Sequence, residues 1–500
     1  MEICDLTLTE ALNGLDKKEF SSQELVQSCL QRIDQVEDQL NSFITVTAEL
    51  ALKQARKADR LRSQGEKMAL LGIPVGIKDI FCTKGIETTA GSNILKGYIP
   101  PYDATVVDRL KKAGAVIIGK LNLDAFAHGS SGENSDFGAT RNPWNLEYVP
   151  GGSSSGSVAA VSAGECLFSL GTDTGGSIRL PASFCNLVGL KTTYGRVSRY
   201  GVIAMASSLD CPGPLTKTVE DMAKVLKIIA GPDHLDSTSL LDKLGQIRLN
   251  KTDLKGLKIG VAEELYPSQD QEEKTDADNI GLNEDVCLIV DAAINQLKKL
   301  GAEIKRISLP HTKFAVAAYY VLVPSEISSN LARYDGIRFP YSNRSGKNFW
   351  DIYTDTRGHG FGREAKRRIM IGTYTLSSGY YDAYYEKAQR IRTLIKRDFE
   401  KAFKKVHLIV APTSPTPPFK FGERISDPLK MYLSDILTVS ANLAGIPSLS
   451  LPAGFDRRGL PVGIQLMGPH LGEELLLQVG YAYQQTTNWH KQKPDLAVNG

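Results

Sequence analysis

The sequence predicts an α/β protein: a single large domain with a central mixed β-sheet covered on both faces by helices. Three observations lead there. From about residue 70 to 231, short apolar runs alternate with helical segments, which is the pattern of a sheet with helices packed against it. Further apolar runs return near 257, 302, 408, 449 and 462, after long helical stretches. The chain has 500 residues, enough for about three average domains or one large α/β domain.

Residues 1–65 read as helices packed on the main domain, which runs from 66 to 490. Ser21 and Glu24 have the spacing of a capping box. After them Val26, Cys29, Leu30, Ile33, Val36 and Leu40 recur at helical spacing. Residues 51–65 are rich in Ala, Lys and Arg and contain no β-branched side chain, again helical. In the main domain, 73–77 reads as a strand, 105–113 as a helix and 115–119 as a strand. A small-residue helix follows at 157–163 and a buried strand at 166–171. Residues 232–253 are a polar surface connection, 257–262 a strand and 267–278 an acidic loop. Residues 284–300 form an amphipathic helix and 302–307 a strand. The stretch from about 313 to 405 is helical and rich in Tyr, Lys and Arg. Strands at 408–411, 449–451 and 462–467 return to the sheet, the last two joined by the turn Asp456-Arg457-Arg458-Gly459.

Composition excludes several classes. A formal net charge of +3 is too balanced for a chain that binds nucleic acid over its whole surface. Seven scattered cysteines with no CxxC pair indicate neither a zinc knuckle nor a disulfide framework, and read as reduced intracellular thiols. The acidic start Met1-Glu2-Ile3-Cys4-Asp5 lacks the basic and apolar regions of a signal peptide. No apolar run reaches the roughly 18 residues of a membrane span.

The chemistry-bearing residues are Lys78, Ser153 and Ser177. Lys78 follows the apolar run Gly72-Ile73-Pro74-Val75-Gly76-Ile77. Burial disfavours the charged form of a lysine, so such a side chain can act as a base near neutral pH. Taken alone, it reads equally as a strand-end lysine whose head reaches water. The serines lie in two glycine-rich turns, Gly151-Gly152-Ser153-Ser154-Ser155-Gly156-Ser157 and Gly171-Thr172-Asp173-Thr174-Gly175-Gly176-Ser177. The first also has the composition of a flexible linker, but Pro150 before it and Val158-Ala159-Ala160-Val161 after it suit a turn leading into a packed helix. A neutral lysine with serine nucleophiles is a known alternative to Ser-His-Asp, and it points to acyl transfer from an amide or ester. Gly152-Ser153-Ser154-Ser155-Gly156 also fits a nucleophile elbow centred on Ser154, but no downstream histidine lies in a triad context. The second turn half-matches a phosphate loop, yet Ser177 stands where its lysine belongs.

Taken together, these motifs resemble the amidase signature family. Lys78 and Ser153 are 75 residues apart and Ser153 and Ser177 are 24 apart, as in the family. The match runs from Pro150 through Gly175-Gly176-Ser177-Ile178-Arg179-Leu180-Pro181-Ala182-Ser183-Phe184-Cys185 to Gly189-Leu190-Lys191. Ser155 stands where the family often has glycine, and Tyr148 where a basic residue is common; neither touches the triad. Within the family, Ser130-Ser131-Gly132-Glu133-Asn134-Ser135, Thr356-Arg357-Gly358-His359-Gly360-Phe361-Gly362, Gly379-Tyr380-Tyr381-Asp382-Ala383-Tyr384-Tyr385 and Asp427-Pro428-Leu429 through Ser434-Asp435-Ile436 resemble the A subunits of tRNA-dependent amidotransferases.

The resemblance implies a glutaminase. Ser177 would be the nucleophile, Ser153 the bridging serine and Lys78 the base, with an oxyanion hole at Thr174, Gly175 and Gly176. Arg357, Asp435 and Ser130 would bind the α-carboxylate and α-ammonium of glutamine. No metal and no cofactor is expected in this chain. ATP and magnesium would act at a B subunit, a C subunit would complete a heterotrimer, and mischarged tRNA would be held mainly by the B subunit, in the cytoplasm. The basic stretch 363–405 reads as a solvated helix face, with tRNA contact as the other reading. The competing functions are a free-standing amidase, whose pocket would lack an amino-acid clamp, and a non-catalytic scaffold, which would lack part of the triad.

Overall fold

A computed structural model describes residues 2–250, 252–267 and 281–496. Its strands are β1 (Phe43–Val46), β2 (Pro74–Lys78), β3 (Val116–Leu121), β4 (Phe168–Asp173), β5 (Val188–Lys191), β6 (Cys211–Thr216), β7 (Lys258–Ala262), β8 (Glu303–Ile307), β9 (Leu408–Pro412), β10 (Ser448–Phe455) and β11 (Pro461–Met467). Among the described residues they form one sheet of eleven strands, in the order β1-β3-β2-β4-β6-β5-β10-β11-β9-β7-β8. The sheet is mixed. β2 runs parallel to both β3 and β4, and β7 runs parallel to both β8 and β9. The strands between these two parallel groups pair antiparallel.

Every residue of β2, β3, β4, β5, β6, β9 and β11 is buried. Side chains alternate between the faces of a strand, so both faces of the sheet are covered by protein. That is why these strands read in the sequence as continuous apolar runs. β8, the edge strand Glu-Ile-Lys-Arg-Ile, is half-exposed and charged, which discourages pairing with another chain.

Three strands escape the sequence reading. Residues 1–65, read as helices alone, contribute β1, which pairs antiparallel with β3 through Phe43 and Leu121. Its four residues, Phe-Ile-Thr-Val, are too few to display a period. β5 is equally short. β6 reads Cys-Pro-Gly-Pro-Leu-Thr, and its two prolines argue against a strand. It is tolerated because the register from Cys211 to Leu215 pairs with β4, while β5 meets only Leu215 and Thr216. The acidic loop read at 267–278 lies outside the described residues apart from Pro267. At the N-terminus, Ser21 and Glu24 do form a reciprocal capping box on the helix Ser22–Leu40.

The topology places the chemistry. Lys78 ends β2, and the turn carrying Ser177 follows β4, its parallel neighbour. Loops at the carboxyl ends of adjacent parallel strands are where α/β sheets build their sites. The wall on this side is made by the helices Ala315–Asn330 and Arg363–Thr375. These pack with no gap at Gly372, where an added methyl group would collide with the carbonyl oxygen of Pro324. Among the described residues, no helix is long and apolar enough to cross a membrane.

Substituting Gly372→Ala is expected to force these two helices apart and to destabilise the protein by about 1–3 kcal/mol, the usual penalty of overpacking. A urea denaturation midpoint unchanged from wild type would show that the contact is not tight.

Candidate active site

Lys78 is completely buried. Its Nζ lies 2.8 Å from Ser153 Oγ, 3.0 Å from Ser154 Oγ and 2.9 Å from Thr172 Oγ1. Among the described residues it has no carboxylate within ion-pairing distance. Burial brings its pKa down to about 7, although Asp124, Asp173 and Asp210 pull the other way. A neutral amine has two N–H donors and one lone pair. Three hydroxyl neighbours therefore fit it fully: two accept from Lys78 and one donates to it. Ser153, the closest, is placed to hand over a proton.

The two serine turns touch through the backbone. Ser154 N–H donates to the carbonyl of Ser177 at 3.3 Å. Ser153 follows a cis peptide bond after Gly152 and precedes the buried helix Ser155–Ala163. The second turn is shaped by Asp173. Its Oδ2 accepts from the N–H groups of Ile178 and Arg179 at 3.2 and 3.3 Å and pairs with Arg179 Nε at 3.0 Å. Burial alone would raise the Asp173 pKa; Arg179 beside it holds it down at about 2. Arg179 in turn reaches Gln465, Asn442 and the carbonyl of Thr438. At Gly176, φ is +147° and a methyl group would strike Thr438 Oγ1, so only glycine fits.

This turn leaves donors free. Among the described residues, the N–H groups of Thr174, Gly175, Gly176 and Ser177 donate to no protein acceptor. The Thr174 side chain is anchored on Asp210 at 2.7 Å, and the carbonyl of Gly175 accepts from Thr438 Oγ1 at 2.6 Å. Four successive free N–H groups beside a serine can hold a developing oxyanion. Ser177 is 7% exposed whereas Lys78 and Ser153 are fully buried; the serine proposed to attack is the one a substrate can reach.

Asp435 adjoins this turn: its Oδ1 would lie 3.2 Å from a methyl group on Gly176. Its Oδ2 accepts from Ser130 Oγ at 2.5 Å. Burial pushes its pKa up to about 7. Ser130 and Asp435 are thus brought together beside Ser177. Arg357 is not with them. Its Nη1 donates to the carbonyls of Leu331 and Tyr334 at 2.8 and 3.2 Å, and its guanidinium lies 5.0 Å from the rings of Tyr353 and Phe361.

Two arginines act on the charge of Asp435: Arg179, which is already bound to Asp173, and Arg368. Arg368 is 3% exposed, bonded through Nε to Glu364 at 2.9 Å, and flanked by the stacked rings of Tyr320 and Tyr432. Among the described residues, its two terminal nitrogens donate to no protein acceptor. The sequence reading missed it within the run Lys366-Arg367-Arg368. A signal existed: the buried residues of that helix are Ala365, Arg368, Gly372 and Thr375, one face at helical spacing. Tyr319, packed against Gly175, was missed as well. Among the described residues, no group of three His, Cys, Asp or Glu side chains is placed to hold a metal ion.

If Lys78 is the base and Ser177 the nucleophile, acylation needs Lys78 neutral. Its rate is therefore expected to fall about tenfold for each pH unit below the lysine pKa and to level off above it, with the break near pH 7. Pre-steady-state acylation measured from pH 5.5 to 9 checks this; a break in the carboxylate range, at about 4, would remove Lys78 from the reaction.

The Amidase family model matches residues 24–477. The chain is 55% identical to the A subunit of the glutamyl-tRNA(Gln) amidotransferase of Geobacter metallireducens, over 99% of each chain. It is 53% identical to the protein of that name from Moorella thermoacetica, over the full length of both. The crystal structure of the glutamyl-tRNA(Gln) amidotransferase A subunit from Thermotoga maritima superposes with a TM-score of 0.81 at 40% identity, covering 99% of each chain. With its buried lysine, two serine turns and an eleven-stranded mixed sheet, the chain belongs to the amidase family.

Proposed function

We propose that this chain is the glutamine-hydrolysing subunit of a glutamyl-tRNA(Gln)/aspartyl-tRNA(Asn) amidotransferase. The observation that carries the reading is the Ser130–Asp435 pair set against the Ser177 turn, because a buried carboxylate there suits a substrate with an α-ammonium. Near-full-length similarity to proteins named as A subunits supports it.

Ser177 Oγ attacks the side-chain amide carbon of glutamine. Its proton passes to Ser153, which gives its own to Lys78 Nζ. The carbonyl oxygen becomes an oxyanion held by the N–H groups from Thr174 to Ser177; one such donor lowers a barrier by about 3 kcal/mol. As the tetrahedral intermediate collapses, the Lys78 ammonium returns the proton through Ser153 to the departing nitrogen, and ammonia leaves. Water, deprotonated along the same route, then attacks the glutamyl ester of Ser177 and releases glutamate.

Asp435 and Ser130 hold the α-ammonium. Burial holds the Asp435 pKa near 7, and the arriving cation favours its ionised form. We assign the α-carboxylate to Arg368 and not to Arg357, because among the described residues the terminal nitrogens of Arg368 donate to no protein acceptor and its charge acts on Asp435. Ammonia passes to a B subunit, which activates mischarged tRNA with ATP and magnesium, while a C subunit completes a cytoplasmic heterotrimer.

Two measurements test this. In the assembled complex, Ser177→Ala is expected to abolish glutamate release from glutamine. A wild-type complex that releases no glutamate while the chain alone hydrolyses other amides would make it a general amidase. Arg368→Gln is expected to raise KM for glutamine about 10- to 100-fold with a smaller change in kcat, the worth of a charge-assisted hydrogen bond. Arg357→Gln should have a much smaller effect on KM, and the reverse order would restore Arg357 to the clamp.

A further inference from the structure

Asp124 follows β3 and is fully buried, yet it belongs to neither serine turn. Its backbone N–H donates to the carbonyl of Ser153 at 3.2 Å. Its Oδ1 accepts from Asn134 N–H at 2.9 Å and its Oδ2 from Gly132 N–H at 3.1 Å. The loop so gathered carries Ser130, the partner of Asp435, and the carbonyl of Ser130 accepts from Gly152 N–H at 2.9 Å. The fit is close. A methyl group on Gly152 would collide with Asp124 Oδ2, and one on Gly129 with its carboxyl carbon. The carboxylate therefore fills the space between the two loops, with backbone donors on both oxygens.

We propose that Asp124 is a positioning residue that holds the base-and-serine pair, Lys78 and Ser153, in register with the ammonium site, Ser130 and Asp435. This rests on the proposed glutaminase chemistry for the identity of the substrate, but not for the coupling itself.

Its charge matters as well as its shape. Three buried carboxylates face Lys78: Asp124, Asp173 and Asp210. Asp173 is neutralised by Arg179 at 3.0 Å. Asp210 is bonded to Thr174, Met205 and Ala206. Asp124 has no cation bonded to it among the described residues; Glu133 and Lys78 are the charged groups that face it. Burial pushes the Asp124 pKa up to about 6, so it is ionised at neutral pH and favours the protonated form of Lys78. Without that charge, Lys78 deprotonates more easily.

The test is Asp124→Asn, which keeps the size and removes the charge, in the assembled complex. Two rates are followed against pH: glutamine hydrolysis, and inactivation of Ser177 by a fluorophosphonate, which needs the same base but no amino-acid pocket. The expected result is that the pH midpoint of inactivation falls by about one unit and KM for glutamine rises severalfold. A purely structural residue would slow both reactions with the midpoint unmoved, and that result overturns the proposal. A lowered inactivation midpoint in a complex whose wild type does not hydrolyse glutamine keeps Asp124 in this role and removes the glutaminase reading instead. Should Asp124→Asn not fold, Gly129→Ala displaces the carboxylate from its place between the loops; a lowered midpoint of inactivation with a raised KM upholds the proposal, and an unmoved midpoint overturns it.

Discussion

The structure depends on one uncomfortable placement: a lysine amine buried among three hydroxyls with no carboxylate bonded to it among the described residues. Bringing its pKa from 10.5 to about 7 costs about 5 kcal/mol of folding free energy at neutral pH. The sign follows from linkage. Above about pH 10.5 both folded and unfolded chains carry a neutral amine and there is no cost. As pH falls, the unfolded chain gains a proton that the folded chain refuses, and the cost grows until about pH 7, below which it stays constant. A marginally stable domain tolerates this only because other parts of the site are strongly held. The Asp173–Arg179 pair, with Asn442, Gln465 and the Thr438 carbonyl around it, is the most fully bonded of them.

That network also sets the shape of the nucleophile turn. Arg179 binds Asp173, Asp173 binds the N–H groups of Ile178 and Arg179, and the residues between, Thr174 to Ser177, are left with N–H groups that donate to no protein acceptor among the described residues. The unpaired donors of the proposed oxyanion hole are thus a by-product of a carboxylate capturing two amides five and six residues along the chain. Thr438 closes the other side, and its contact with Gly176 excludes any side chain there.

Much of this was legible in the sequence, and the limits have physical reasons. Lys78, Ser153 and Ser177 stand out because the chemistry requires unusual local composition: a lysine after an apolar strand, and serines in turns of glycine. The sheet was legible where both faces are buried, since such strands are continuous apolar runs. β1 and β5 were too short to show a period, and β6 hid behind two prolines that one-sided pairing accommodates. The proposed choice of Arg368 over Arg357 was not legible from residue type, because both sit on helices among aromatic residues. What separates them is tertiary: one guanidinium bonds to two backbone carbonyls, the other keeps its terminal nitrogens free near Asp435. Asp124 was invisible for the same reason, as its partners Gly132 and Asn134 become an acid's ligands only when the loop is folded.

The three carboxylates around Lys78 share a second property. Each bonds a loop of the site: Asp173 and Asp210 both hold the Ser177 turn, through the N–H groups of Ile178 and Arg179 and the side chain of Thr174, and Asp124 holds the loop of Ser130. The groups that counter the desolvation of Lys78 are therefore the groups that fix the positions of the proposed oxyanion donors and of Ser130, the proposed substrate anchor. Coulomb energy falls with distance, so a loop that drifts outward carries its carboxylate with it and changes the basicity of Lys78. Geometry and base strength in this site are set by the same contacts, and neither can vary without the other.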